Sequence, residues 1–311
     1  MRIYFTTDVH GSEICFKKFL NAGKFYGADV IILGGDTTGK MLVFLVDQGD
    51  GTYACSYRTG SEEYFPEGHE LDEFENGIRN TGYYPCRVSK ARMRELNADS
   101  RLMDELFLEL MLQTTERWMK LAEGRLGGTD IRCIIAPGND DDPAIDEIIK
   151  ASRRVEYAEG SLVSVGPHEI VSCGWTNPTP WQTYRECSED ELAVRLESLA
   201  SMVTDWQCAI VNFHAPPYQT GLDEAPEISK DLQLAASGAM RAVGSTAVKE
   251  AILKHKPLLG LHGHIHESKC SQKLGRTLCI NPGSAYADWI LQGVVVDLEG
   301  DRIGGHLFVT G

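Results

Sequence analysis

The chain opens Arg2-Ile3-Tyr4-Phe5-Thr6-Thr7-Asp8-Val9-His10-Gly11. Residues 2–7 are apolar, aromatic or β-branched after the first, so they are expected to form a buried strand. Asp8 and His10 follow at once, with Gly11 allowing a tight turn behind them. A carboxylate and an imidazole at the end of a strand stand where α/β sheets build their sites. Outward from this stretch the arrangement returns four times. Strand 30–33 runs into Gly34-Gly35-Asp36, strand 131–136 into Gly138-Asn139-Asp140, strand 208–213 into His214, and strand 258–261 into Gly263-His264-Ile265-His266.

Helical patterns fall between these strands. Residues 13–26 carry Ile14, Phe16, Phe19 and Leu20 at helical spacing, and 144–152, 189–203 and 246–255 are further helices. Ser188, with Glu191 three residues on, is a capping-box signal. A hairpin is expected over 162–171, and strands over 277–280, 293–297 and 303–309, the last two joined by Glu299-Gly300-Asp301. Strand–helix alternation in front with strands behind indicates an α/β fold with two packed sheets. Residues 41–88 break the rhythm and read as an inserted subdomain. Strands 42–46 and 53–57 flank Gly49-Asp50-Gly51, a hairpin signal, and an acidic, aromatic stretch runs from Glu62 to Tyr84. Residues 89–125 then read as one long amphipathic crossover helix, with Leu96, Met103, Leu106, Leu110 and Trp118 near one stripe. Tyr83 and Tyr84 are expected to pack the insertion's core, with closure over the site or a homodimer contact as alternatives.

Composition excludes several classes. Thirty Lys and Arg against 45 Asp and Glu give a net charge of −15 over 311 residues, which disfavours nonspecific binding to nucleic acid or to an anionic membrane. The apolar runs fall short of the ~18 residues of a spanning helix, and Asp8 stands where a signal peptide would have its apolar region. Nine cysteines lie scattered without a C-x-x-C pair, as expected of reduced thiols in a cytoplasmic protein. Any metal should therefore be held by nitrogen and oxygen ligands.

Each motif alone is ordinary. Asp8-Val9-His10 could be a loop cap beside an exposed histidine, Gly35-Asp36 and Gly138-Asn139 are routine turns, and His214 could be a satisfied core histidine. Five in order, each at a strand end, favour a two-metal centre. Two divalent cations about 3.5–4 Å apart need several ligands each and a bridging carboxylate. Mixed imidazole and carboxylate donors suit manganese, iron, zinc or nickel better than calcium; manganese is expected first.

The order D-x-H, G-D, G-N-[H/D], a lone His and G-H-x-H resembles the calcineurin-like metallophosphoesterase superfamily, across all of the chain except about 41–125. Asn281-Pro282-Gly283-Ser284 fits the same pattern. The loop Gly174-Trp175-Thr176-Asn177-Pro178-Thr179-Pro180-Trp181, with Arg185-Glu186 behind it, looks like the bacterial and archaeal branch related to cyclic-nucleotide phosphodiesterases. The resemblance implies a four-layer α/β/β/α sandwich. It implies that Asp8, His10 and His266 ligate one divalent cation, that Asn139, His214 and His264 ligate a second, and that Asp36 bridges them. A bridging hydroxide would attack phosphorus in line, hydrolysing a small organic or nucleotide phosphodiester. A non-catalytic metal-binding scaffold of the same fold is the alternative; the full ligand set favours the enzyme.

Many members have His directly after the motif Asn, where it helps protonate the leaving group; here that residue is Asp140. An Asp has an ordinary pKa of ~3.9 and nearby cations would lower it, so Asp140 is expected to be a poor acid at neutral pH. Either the leaving group departs unaided, or His262, which shares a face with His264 and His266 if that stretch is extended, takes over. Trp175, Trp181 and Arg185 are candidate substrate contacts, with packing and an ion pair as the competing roles. In Asp140-Asp141-Asp142 the last two are expected to be a solvated helix start before Pro143.

Overall fold

The structure, a computed structural model, describes residues 1–57, 60–227 and 239–311. Residues 58 and 59 of the 41–88 segment lie outside the described residues. In chain order the elements run β1 (Arg2–Thr6), α1 (Glu13–Tyr26), β2 (Val30–Leu33), β3 (Leu42–Asp47), β4 (Thr52–Cys55), β5 (Glu63–Pro66), α2 (His69–Asn80) and β6 (Tyr84–Ser89). Then come α3 (Lys90–Ala98), α4 (Ser100–Leu126), β7 (Arg132–Ile135), a 3-10 turn Pro143–Ile145, α5 (Asp146–Lys150), β8 (Val155–Tyr157), β9 (Leu162–Val165) and β10 (His168–Cys173). The last third holds α6 (Glu189–Ala200), β11 (Ile210–Phe213), β12 (Glu224–Pro226), β13 (Met240–Ala242), α7 (Thr246–His255), β14 (Leu259–Leu261), β15 (Cys270–Leu274), β16 (Thr277–Asn281), β17 (Gln292–Glu299) and β18 (Arg302–Thr310).

Two six-stranded sheets dominate, ordered β18-β17-β1-β2-β7-β8 and β15-β16-β14-β11-β10-β9. Strands β1, β2 and β7 are mutually parallel, as are β10, β11, β14 and β16. Side chains alternate between two environments. Ile3, Phe5, Ile32 and Ile134 meet Ile210, Leu259, Leu261 and Ile280 in the core between the sheets. Tyr4, Ile31, Leu33 and Ile135 face outward and pack beneath α1 and α4. Val171, Val211 and Phe213 face the other way, beneath α6 and α7. Strands buried on both faces need continuous apolar sequence, which is why Val30–Leu33 lacks polar alternation. The result is the four-layer α/β/β/α sandwich. All nine cysteines are free thiols. Among the described residues no helix is long and apolar enough to cross a membrane.

Helix caps follow local sequence. Ser12 caps α1, and Gly27, at φ 62°, ends it. Ser188 and Glu191 form the capping box of α6. The single helix expected over 89–125 is instead two. Asp99 sits at φ −140° and ψ 106°, and its carboxylate accepts the Arg101 N–H, so it caps α4 rather than continuing α3. An aspartate gains more as an N-cap than inside a helix. The helix expected over 144–152 reduces to the 3-10 turn and α5.

The segment from Leu42 to Ser89 builds its own sheet, ordered β5-β4-β3-β6, with α2 against it. The acidic stretch after Glu62 supplies β5 and α2, two elements that the sequence pattern did not reveal. Val43, Leu45, Cys55, Leu71 and Ile78 form its core, and Tyr83 packs on them. Tyr84 reaches toward the main body instead, where its hydroxyl oxygen accepts the Gly39 N–H at 2.7 Å.

Trp118 of α4 is 2% exposed, stacks on Phe16 of α1 at 4.0 Å, and donates its indole N–H to Glu13 at 2.9 Å. Trp118→Ala should lower unfolding stability by about 3–5 kcal/mol in a denaturant titration. A loss below about 1 kcal/mol would show that α4 is not clamped to the sandwich there.

Candidate metal centre

Five loops meet at the rim where parallel strands of both sheets end: residues 7–11 after β1, 34–40 after β2, 136–142 after β7, 214–217 after β11 and 262–268 after β14. Backbone bonds lace them together. Asp8 N–H donates to Gly35 O at 3.0 Å, His10 N–H to Asp36 O at 2.9 Å, and Gly263 N–H to His214 O at 3.0 Å. His264 N–H reaches the Asp8 carboxylate at 3.1 Å, and Asp140 N–H reaches Asp36 Oδ1 at 3.0 Å. Asp8, His10, Asp36 and His264 have φ of 55°, 39°, 49° and 69°. Such left-handed backbone is uncommon outside glycine and costs on the order of 1–3 kcal/mol each when the residue is not suited to it; Asp and His tolerate it best. It turns each side chain sharply off its strand into the shared space.

Donor atoms converge there. Asp8, His10 and His266 bring one ligand atom each within 4.8 Å of one another, and so do Asp36, His214 and His264. His10 Nε2 and His266 Nε2 stand 3.0 Å apart. Asp36 Oδ2 lies 3.6 Å from His10 Nε2 and 3.4 Å from His214 Nε2, which places this carboxylate between the two trios. His214 Nδ1 faces Gly34 O at 3.2 Å, so that nitrogen carries a proton and Nε2 is turned to the cluster. Asn139 Oδ1 is buried with no hydrogen-bond partner among the described residues. A buried carboxamide oxygen without a partner, beside clustered imidazole nitrogens and carboxylates, fits cation ligation better than a packing role.

The titration of these groups follows from their crowding. Burial would raise the Asp8 carboxyl, but the His266 hydrogen bond and the His214 charge bring it well below the usual range. Asp36, also opposed by burial, is lowered chiefly by His214. Burial would lower His214, but Asp36 and then Asp8 raise it to about 9. Burial lowers His264 to about 4, with the His214 charge acting in the same direction. The two carboxylates thus stay ionised by sharing histidine protons, and bound cations would take the place of those protons.

Three residues that hold or flank this centre were not legible. Asp141, expected in solvent, is 0% exposed. Its carboxylate accepts from Thr37 N–H (2.9 Å), Thr38 N–H (2.8 Å), Thr38 Oγ1 (2.7 Å) and Gly138 N–H (2.8 Å), which staples the Asp36 loop to the Asn139 loop. Lys40 places Nζ 2.6 Å from Asp140 Oδ2 while its side chain is 42% exposed. Burial would lower the Lys40 pKa, but Asp140 and Asp36 raise it to about 12, so the ammonium stays charged. Tyr286 packs its ring 4.8 Å from that of His10.

Other expectations need correction. Asp140 is not depressed by the chain itself: burial and then Asp36 push its carboxyl up to about 6, against the pull of Lys40. His262 is not placed as an acid. His264 at φ 69° breaks the extended run, and the His262 ring is buried with Nδ1 donating to Phe213 O at 2.7 Å. Its Nε2 lies back along the strand, where a Cβ on Gly260 would stand 2.8 Å away, and burial lowers its pKa to about 4. Arg185 is 3% exposed and bound to Asp141 O at 3.0 Å and Asp146 at 2.6 Å, so it straps its loop to the centre instead of meeting substrate. Trp175 packs on the outer core with the Arg195 guanidinium 3.8 Å over its ring, while Trp181 is 57% exposed. The two rings do not build a clamp.

No family model matches the chain. An uncharacterized protein of Methanocaldococcus jannaschii, MJ1162, is 28% identical over 156 residues, 49% of this chain and 63% of that protein, so the match spans less than two thirds of the relative's length. TT1561 of Thermus thermophilus is a similar solved structure, with a TM-score of 0.53 at 14% identity, covering 100% of this chain and 97% of that one. An archaeal phosphodiesterase shares 11% identity over 99% of this chain and 100% of that one, at a TM-score of 0.38, too loose an overlay to argue from. Identities this low speak to fold alone. The likeness to TT1561 shows a shared fold, with two six-stranded sheets packed between helices in this chain.

Gly138 stands against the centre: a Cβ there would run into Asp36 Oδ1 and the Asp36 backbone nitrogen and would lie 2.8 Å from His214 Nε2. Gly138→Ala should weaken manganese binding about 10–100-fold, the usual effect of displacing a supporting group, as measured by calorimetry. Undiminished affinity would contradict the placement of Asp36.

Proposed function

We propose that this protein is a metal-dependent phosphoric ester hydrolase acting on a small organic or nucleotide phosphodiester. Convergence of six aspartate and histidine side chains from four loops, with the unpartnered Asn139 oxygen on a fifth, carries the reading. In it Asp8, His10 and His266 hold one divalent cation, Asn139, His214 and His264 hold a second, and Asp36 lies between them. Manganese suits the donor set, with iron, zinc or nickel as alternatives. Bound cations would supply Lewis-acid charge on the phosphoryl oxygens and lower the pKa of a coordinated water.

The chain's own residues support a diester. Lys40 carries a fixed positive charge at the edge of the cluster, within reach of Asp140, and is suited to meet a phosphoryl oxygen. Asp140, beside it, repels the second negative charge of a monoester more than the single charge of a diester. Lys40 keeps its proton, His262 faces away, and Asp140, raised to about 6, is still mostly ionised at neutral pH, so a leaving group stable as an anion, such as a nucleotide or a phenolate, is favoured.

Asp36→Ala should abolish manganese uptake and hydrolysis of bis-p-nitrophenyl phosphate together, since it removes the ligand between both trios. Wild-type turnover with none of manganese, nickel, zinc or iron would overturn the enzyme reading and leave a scaffold. A variant that retained both cations would overturn the role given to Asp36.

A further inference from the structure

The Asn139 carboxamide has two ends, and only its oxygen can ligate a cation. Its Nδ2 donates to Thr183 Oγ1 at 2.8 Å. The Thr183 hydroxyl in turn lies 2.6 Å from Glu186 Oε1. That carboxylate also accepts the Thr183 N–H at 2.9 Å, the Thr179 N–H at 2.9 Å and the Thr179 hydroxyl at 2.5 Å. These bonds hold Glu186 ionised in spite of its partial burial, with its carboxyl below the ordinary value.

An ionised carboxylate accepts only, and a hydroxyl has one proton. The Thr183 proton therefore goes to Glu186, and Thr183 has only lone pairs to offer Asn139. If the amide were turned over, Oδ1 would face those lone pairs. The hydrogen-bond polarity of the chain Glu186, Thr183, Asn139 thus admits one rotation of the amide. In that rotation Oδ1 is the buried oxygen without a partner. The loop holding Thr183 and Glu186 is itself tied to the motif, since Arg185 N–H donates to Asn139 O at 3.1 Å and the Arg185 guanidinium holds Asp141 O.

We propose that Thr183 and Glu186 are positioning residues that fix the rotation of the Asn139 amide and so present its oxygen as a ready cation ligand. The inference rests on the two-cation reading above. It gives the loop of residues 174–186 a task at the second cation position, apart from any substrate contact by its tryptophans.

The test is titration of metal-free protein with manganese, read by calorimetry and by the electron paramagnetic resonance of free Mn(II). Wild type should take up two equivalents. Thr183→Val should keep one tight equivalent and bind the other about 10–100-fold more weakly, the scale of a lost supporting hydrogen bond at a metal ligand. Thr183→Ser should restore the second equivalent. Glu186→Gln brings an N–H donor, frees the Thr183 proton to face Asn139, and should weaken the same equivalent; it serves if Thr183→Val does not fold. Two unchanged equivalents in Thr183→Val, equal loss of both, or a serine variant no better than valine would overturn the positioning role and leave the metal centre standing. Wild type that takes up no manganese would overturn both.

Discussion

Two carboxylates and four imidazoles occupy one buried space, and every loop of the rim is shaped by the need to keep them there. Asp8 and Asp36 are almost fully buried, and neighbouring histidines, His266 and His214 for Asp8 and His214 and His10 for Asp36, hold both carboxyls below the usual range against the effect of burial. Such a group is poorly held by packing alone, because each charge must be balanced by another across the same few ångströms. Divalent cations would balance it better than shared protons do. Left-handed backbone at Asp8, His10, Asp36 and His264 is consistent with this: the strain is concentrated on the residues that must turn inward.

Holding the strained loops falls to residues outside the cluster of candidate ligands. Asp141 gathers four donors from two loops, residues 34–40 and 136–142, and Arg185 ties the loop of residues 174–186 to the same point. The inserted sheet reaches the centre as well. Tyr84 holds Gly39, the residue before Lys40, and a Cβ on Gly82 would meet the His10 carbonyl. The Asp36 loop is thus fixed from the Asn139 side by Asp141 and from the insertion side by Tyr84, and Lys40 follows directly on that anchored stretch.

What could be read in the sequence was local. A candidate ligand directly after an apolar run, as in Phe5-Thr6-Thr7-Asp8, places itself at a strand end by chain direction alone, and all five motifs lie at the rim for that reason. The capping box at Ser188 was legible because its partner is three residues away. What could not be read was long-range. Asp141 looks like a solvated acid until Thr37 and Thr38, over 100 positions away in sequence, are brought against it. Arg185 looks like a phosphate contact until Asp146 is found beside it. Alternation sets His262 beside His264 and His266 only on an extended strand, and the turn at His264 ends that strand. Apolar spacing continues past Asp99 as if one helix ran through it, whereas its backbone breaks there to cap the next helix.

The most direct test is an anomalous difference map, at the manganese edge, from crystals grown with manganese. Two peaks about 3.5–4 Å apart on either side of Asp36 are predicted, one beside Asp8, His10 and His266 and the other beside Asn139, His214 and His264. A map without peaks there, with the same side chains turned from one another, would contradict the account.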